Sequence, residues 1–188
     1  QVRLFEREAD MLGRLKHSGI AEIYQFDRTD DGRPYFVMEL VDGTPLDEYL
    51  KAQPPVADQA GLRERLTLFR QICDAVHYAH QRGIIHRDLK PSNVLVVEPD
   101  EDETASRSGE RSSQIKILDF GIARITDAEA TQFTEVGIIK GTLQYMSPEQ
   151  TSGLPEDVDT RADVYALGAL LYEIISGKRP YEIGLAAF

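Results

Sequence analysis

Three stretches of this chain space their apolar residues as an α-helix does, and four shorter runs have the apolar density of β-strands. Leu4, Phe5, Met11, Leu12 and Leu15 mark one face of an amphipathic helix over residues 2–15. Residues 20–26 and 34–40 read as two strands joined by a turn at Asp30-Asp31-Gly32. Leu62, Leu66, Phe69, Ile72, Cys73, Val76 and Ala79 share a helical face and predict a long helix that runs to about Arg82 and stops at Gly83. Residues 93–97 and 115–118 predict two more short strands. Residues 164–175 are apolar nearly all round, which predicts a buried central helix closed by Gly177. Just before them, Thr160-Arg161-Ala162-Asp163 has capping-box spacing, with Asp in the place of Glu or Gln.

The breaker Asp42-Gly43-Thr44-Pro45 divides a strand-rich part from a mostly helical one, so the boundary falls between a small unit, residues 1–43, and a large one, residues 44–188. Residues 98–114 are acidic and then Ser-rich with no apolar period, and predict a disordered surface insertion between two strands. The 188 residues suffice for one compact domain with a core. A net charge of −11 argues against a nucleic-acid footprint, which needs clustered Lys and Arg, and against attraction to anionic lipid. The single cysteine, Cys73, allows no intrachain disulfide and no Cys-rich metal site; it reads as a small buried residue on a helix and fits a cytoplasmic setting. No apolar run is long enough to span a bilayer.

Candidate chemistry concentrates in His86-Arg87-Asp88-Leu89-Lys90-Pro91-Ser92-Asn93, where Pro91 disfavours a continuous helix. A carboxylate, a cation and an amide so spaced suit phosphoryl transfer, which needs an oriented hydroxyl, neutralised negative charge and a held Mg²⁺. If the strands at 93–97 and 115–118 pair antiparallel, the start of the first lies beside the end of the second. Asn93 and Asp119 then reach one edge, next to Asp88, and both offer the oxygen ligands that Mg²⁺ prefers. In that arrangement Asp88 accepts or orients the proton of the attacking hydroxyl, Lys90 places positive charge on the transferring group, and Gly121 gives the backbone freedom after the metal ligand. His77 and His80 are three apart on a helix, but with no further ligand nearby they read as ordinary helix histidines rather than a metal pair.

Asp119-Phe120-Gly121 follows that loop, and then Gly141-Thr142 and Ser147-Pro148-Glu149. The set, in this order, resembles the protein-kinase signature H-R-D-L-x-x-x-N, D-F-G and A-P-E. The chain as a whole resembles the middle of a Ser/Thr protein kinase domain of the bacterial, eukaryotic-like kind. The resemblance implies an α+β, two-lobed protein-kinase fold with a partial small lobe of helix plus strands and a mostly helical large lobe. It also implies ATP and Mg²⁺ as cofactors, a protein substrate with a Ser or Thr acceptor, and a signalling role. By the same resemblance His86 is structural, stacked in a hydrophobic column with Phe120 and Leu12, and Asp163 holds the catalytic-loop backbone from below. Met38 is the gatekeeper, the backbone of Glu39 and Val41 meets the adenine edge, and Leu95 floors the pocket. Glu8 is the helix Glu that pairs with a strand Lys. Arg87 pairs with a phosphate on the activation loop, residues 119–149, for which Thr131 and Thr134 are the candidates. Thr142 bridges Asp88 and Lys90 and points to Ser/Thr rather than Tyr as acceptor, and Glu149 pairs with an Arg further along the family's chain. The resemblance leaves open a kinase homodimer as the activating assembly.

No G-x-G-x-x-G occurs in the sequence and no V-A-I-K-like strand precedes Glu8. The resemblance therefore covers part of the family domain, and the 188 residues alone are expected to have very low activity, since positioning and charge neutralisation suffer together. A partial sequence of a normal kinase, a shortened pseudokinase, a non-catalytic interaction module and a small-molecule phosphotransferase all remain open. The intact Asp88, Lys90, Asn93 and Asp119 speak against the pseudokinase, and the 141–149 segment speaks against the small-molecule enzyme. The active full-length protein is predicted to carry phosphate on Thr131 or Thr134, bringing roughly two negative charges to Arg87. Mass spectrometry of a fully active preparation checks this, and two unmodified threonines would refute it.

Overall fold

The strand and helix signals resolve into two small antiparallel sheets and two long helices in the computed structural model, which describes residues 12–99, 113–120, 143–151 and 158–181. Strands β1 (Ile23–Arg28) and β2 (Pro34–Met38) form a hairpin. Phe26 faces Phe36 across it, with ring centroids 4.9 Å apart. The turn needs Gly32 at φ 84°, and the Arg28 guanidinium donates to the Gly32 carbonyl over 2.7 Å. Strand β3 (Thr44–Pro45), helix α1 (Leu46–Ala52), helix α2 (Gln59–His80), strands β4 (Val94–Val97) and β5 (Gln114–Ile117), helix α3 (Pro148–Thr151) and helix α4 (Thr160–Ser176) complete the order. The second sheet runs β3-β4-β5, antiparallel throughout. Most of the stretch expected to be an insertion, residues 100–112, lies outside the described residues, while Gln114 already belongs to β5. Of the helix expected over residues 2–15, only Leu12 to Leu15 are described, and both of those leucines are buried.

The first strand starts later than its apolar run suggested, because β5 takes up the residues before it. Ile20 forms an isolated parallel bridge with Ile117. The Ala21 N–H donates to the Ile117 carbonyl (3.0 Å) and the Ile117 N–H donates to the Gly19 carbonyl (2.9 Å). Gln71 of α2 satisfies the same edge of β5 nearer the strand's start. Its Nε2 donates to the Ser113 carbonyl (2.9 Å) and its Oε1 accepts from the Ile115 N–H (3.1 Å), as a neighbouring strand would. The second strand ends at Met38, two residues short of the expected end, and Leu40 beyond it is 97 % exposed.

The core lies where α2 meets β4, β5 and α4. Leu68, Ile72, Ala75, Val76 and Ala79 pack with Val94, Val96, Ile115, Ile117, Leu170 and Ile174. Each large aliphatic side chain buried there contributes about 1.5–3 kcal/mol. The buried face of α2 is turned from the one expected. Leu66 is 41 % exposed and Cys73 only half-buried, whereas Arg65 is inside. The reason is the guanidinium, which donates to the Ile174 carbonyl (2.7 Å) and the Pro54 carbonyl (2.9 Å). Ile174 is in the last turn of α4, where carbonyls lack partners within the helix, so Arg65 caps that end from another helix.

Helix α4 also corrects two expectations. Its N-cap is Asp159, whose Oδ1 accepts from the Arg161 N–H (2.8 Å), so the capping box of Thr160 and Asp163 is not the helix start. The helix is not buried all round either: Val164, Tyr172 and Ile175 are exposed among the described residues. Gly177, at φ 66°, closes it as expected.

Asp163 turns inward and is 1 % exposed. Its Oδ2 lies 2.7 Å from His80 Nε2 at the end of α2 and accepts from the His86 N–H (2.8 Å), while its Oδ1 accepts from the Arg87 N–H (2.9 Å). Burial alone pushes this carboxyl up, but the hydrogen bonds from His80 and from the two backbone amides outweigh it and hold the group below the ordinary Asp value. A folded-state pKa below the unfolded one means that the contribution to stability is complete above about pH 4 and is lost as the pH falls through the lower folded value. Urea unfolding between about pH 6 and about pH 2 is therefore expected to show a steeper acid loss of stability for the native protein than for Asp163→Asn. Identical acid limbs would contradict the assignment.

Candidate active site

Helix α2 ends at His80, short of the expected Arg82; Gly83 (φ 74°) then turns the chain, and the Ile84 N–H reaches back to the Ala79 carbonyl (3.1 Å), which leads residues 84–90 away as a loop. Pro91 has no N–H and opens a single 3-10 turn, Pro91–Asn93, closed by the Asn93 N–H on the Lys90 carbonyl (3.0 Å). Strand β4 then begins at Val94.

Strands β4 and β5 pair antiparallel, so the start of the first lies beside the end of the second. Val94 stands opposite Ile117, and the Leu118 N–H donates to the Asn93 carbonyl over 2.8 Å. Asn93 thus sits beside Leu118, at the edge where Asp119 follows. Asp119, two residues past β5, has φ 59°, in the left-handed region that Asp tolerates better than most residues. Asp88 is at the same place. Its Oδ2 takes the Lys90 ammonium at 2.7 Å and the Asn93 Nδ2 at 3.2 Å, and the same Nδ2 donates to the Asp88 carbonyl at 2.8 Å. The Asn93 amide NH₂ is therefore turned toward Asp88, and its Oδ1 is the atom left for a cation. That oxygen and the Asp119 carboxylate are donors of the kind Mg²⁺ takes.

His86 is fully buried, and its ring lies 4.6 Å from that of Phe120, tilted by 55°. Burial pushes its pKa down, although Asp163 and the Leu118 carbonyl oppose that shift. A neutral ring fits its contacts: Nε2 donates to the Leu118 carbonyl (2.9 Å) and Nδ1 accepts from the Asp88 N–H (3.3 Å). The imidazole is thus a bridge between the loop and the Asp119 strand. Leu12 is buried in the same core cluster as Phe120.

At the end of β2, the Glu39 N–H donates to the Glu22 carbonyl (2.8 Å) and Glu39 Oε2 accepts from the Glu22 N–H (3.1 Å). Lys116 of β5 places its ammonium 2.7 Å from both Glu39 oxygens. Burial raises the Glu39 carboxyl, and the Lys116 and Glu22 hydrogen bonds more than reverse that, leaving it below the ordinary value. Lys116 is the cross-strand partner of Leu95, which is buried, while Met38 and Val41 are half-buried. The segment at 39–41 is thereby tied to the β4–β5 sheet.

The 143–151 segment packs against the loop. The Tyr145 hydroxyl donates to the Glu173 carboxylate, and burial and that carboxylate push its pKa strongly up. Gln150 Nε2 donates to the Arg87 carbonyl over 2.5 Å. Glu149 is half-buried in α3. Sequence reasoning missed His80, Lys116 and Gln150 as parts of this assembly. Lys116 was findable, as a polar residue between two buried isoleucines in a strand. His80 and Gln150 act on groups distant in sequence and left no local signal. Glu8, Gly121, Thr131, Thr134 and Thr142 lie outside the described residues.

Comparison with known proteins agrees with this geometry. The family model for the protein kinase domain matches residues 2–185. The chain is 41 % identical over 187 residues to the serine/threonine-protein kinase Pkn1 of Myxococcus xanthus, covering 99 % of this chain and 24 % of that protein. It is 36 % identical over 180 residues to the serine/threonine-protein kinase PknB of Mycolicibacterium smegmatis, covering 94 % of this chain and 26 % of that protein. It is 37 % identical over 183 residues to the serine/threonine-protein kinase pkn3 of Myxococcus xanthus, covering 96 % of this chain and 31 % of that protein. The chain thus spans about a quarter to just under a third of the length of these relatives. A match running almost end to end, over a loop and strand edge built as described, means that this chain belongs to the protein kinase domain family.

Proposed function

We propose that this chain is the catalytic segment of an ATP-dependent protein kinase that phosphorylates Ser or Thr hydroxyls of protein substrates in a signalling role. The observation that carries the reading is the convergence of Asp88, Lys90 and Asn93 through direct hydrogen bonds at the edge where Asp119 emerges. A pseudokinase or a pure interaction module has no need of that network. The names of the relatives, all serine/threonine-protein kinases, support Ser/Thr as acceptor.

In the proposed reaction the acceptor oxygen bonds to the γ-phosphorus of ATP, the bond from that phosphorus to the β–γ bridging oxygen breaks, and ADP departs with the electron pair. Asp88 orients the hydroxyl and takes its proton; both described contacts to its carboxylate fall on Oδ2, which leaves Oδ1 for the acceptor. The Lys90 ammonium, fixed at 2.7 Å from Asp88, sets positive charge beside the transferring group. Asn93 Oδ1 and the Asp119 carboxylate would hold Mg²⁺, which when bound supplies neutralisation of the phosphate charge. The Glu39 N–H is already taken by Glu22, so the segment at 39–41 would meet the adenine edge through the Glu39 carbonyl and the Val41 amide, over the apolar floor of Leu95. Arg87 would pair with the phosphate proposed on Thr131 or Thr134.

Asp88→Asn in the full-length protein is expected to lower turnover by about 10²-fold or more while leaving ATP affinity nearly unchanged. Phosphorylation rates on a protein substrate, set beside calorimetric ATP binding, check this. A variant that keeps most of its turnover would remove Asp88 from its role.

A further inference from the structure

Arg87 stands at φ 69°, in the left-handed region that side-chain-bearing residues avoid. Arg has no short polar side chain to stabilise that conformation locally, so other groups must hold it. Two do. The peptide before Arg87 is held by Asp163 Oδ1, which accepts its N–H at 2.9 Å, and the peptide after it is held by Gln150 Nε2, which donates to its carbonyl at 2.5 Å. The orientation of Gln150 is itself set. Its Oε1 accepts from the Ser147 N–H (3.0 Å) and the Ser147 hydroxyl (3.2 Å), and Ser147 is fully buried. The amide is thus loaded at its acceptor end, and its donor end is directed at Arg87. The peptide that Gln150 grips is the one that joins Arg87 to Asp88, and its N–H also donates to His86 Nδ1 (3.3 Å). Rotation of that plane would swing the Asp88 side chain.

We infer that Gln150 is a positioning residue, which fixes the Arg87–Asp88 peptide and so aims the Asp88 carboxylate, and that it couples the 143–151 segment to the catalytic loop. This rests on the kinase reading above and deepens it. The shape of the segment carrying Ser147 and Gln150 is then transmitted to Asp88 through one side-chain amide, in addition to any contact that segment makes with the acceptor.

Two substitutions in the full-length protein test it, with turnover counted per nucleotide-binding site so that unfolded molecules do not enter. Gln150→Met keeps the length and apolar contacts of the side chain and removes the donor. The expected result is turnover lower by roughly ten- to hundredfold with the KM for ATP nearly unchanged. Gln150→Glu keeps the acceptor for Ser147 but, when ionised, has no hydrogen for the Arg87 carbonyl; protonation restores one. Its turnover relative to native should therefore rise as the pH is lowered from about 8 toward the carboxyl range near 4.3. Arg87 and Asp88 of the loop, Tyr145 of the 143–151 segment and Asp163 of α4 line the same pocket as residue 150; they are common to both proteins, so the ratio is what is read. A purely structural role would lower the unfolding midpoint and leave the ratio flat with pH. Native turnover per site in Gln150→Met, or a flat ratio in Gln150→Glu, overturns the inference. Asp88→Asn measured alongside separates the two levels: if it abolishes turnover while both Gln150 variants work normally, only this inference fails, and if it retains turnover, the kinase reading fails with it.

Discussion

A single buried carboxylate, that of Asp163, does most to determine where the catalytic loop lies. At 1 % exposure its charge would be costly alone, and it is tolerated because three donors converge on it. Those donors come from the end of α2 and from two successive amides of the loop. The same contacts that satisfy the charge therefore fix the geometry of residues 86 and 87, a stretch with no ladder of its own. The neutral, buried His86 ring then carries that position across to Leu118, which follows β5 and precedes Asp119.

The second constraint is the register of the β4–β5 hairpin. Pairing Val94 with Ile117 sets Asn93 beside Leu118, so a donor amide and a carboxylate leave the sheet at one edge. The loop reaches this edge from below and the hairpin reaches it from the side, and Asp88 is where they meet. Farther along β5, Lys116 and Glu39 tie the segment after β2 to the same sheet. That pair is partly exposed, about a quarter on each side chain, so solvent screens it and its role is more to locate the segment than to stabilise the fold.

Much of this was legible in the letters. Helical periodicity found α2 and α4, two short apolar runs found β4 and β5, and antiparallel pairing alone brought Asn93 to Asp119. What was not legible shares a physical cause. Arg65, His80 and Gln150 each act on backbone or carboxylate groups far away in sequence, and every residue offers the same backbone carbonyl, so no local pattern names the partner. Arg65 also explains why the face of α2 was misread, since a guanidinium with two carbonyl acceptors can be buried where periodicity expects solvent. At the start of α4 two adjacent residues, Asp159 and Thr160, can both cap, and spacing alone favoured the wrong one. Val164, Tyr172 and Ile175 of α4 are exposed among the described residues, so composition overstated its burial.

The most direct measurement is a crystal structure of the full-length protein's kinase domain grown with Mn²⁺ and a non-hydrolysable ATP analogue, with the anomalous signal of the metal recorded. The account predicts a metal peak at about 2.1 Å from both Asn93 Oδ1 and an Asp119 carboxylate oxygen, with the Asp88 carboxylate facing the terminal phosphate. A nucleotide-bound metal that touches neither residue would contradict it.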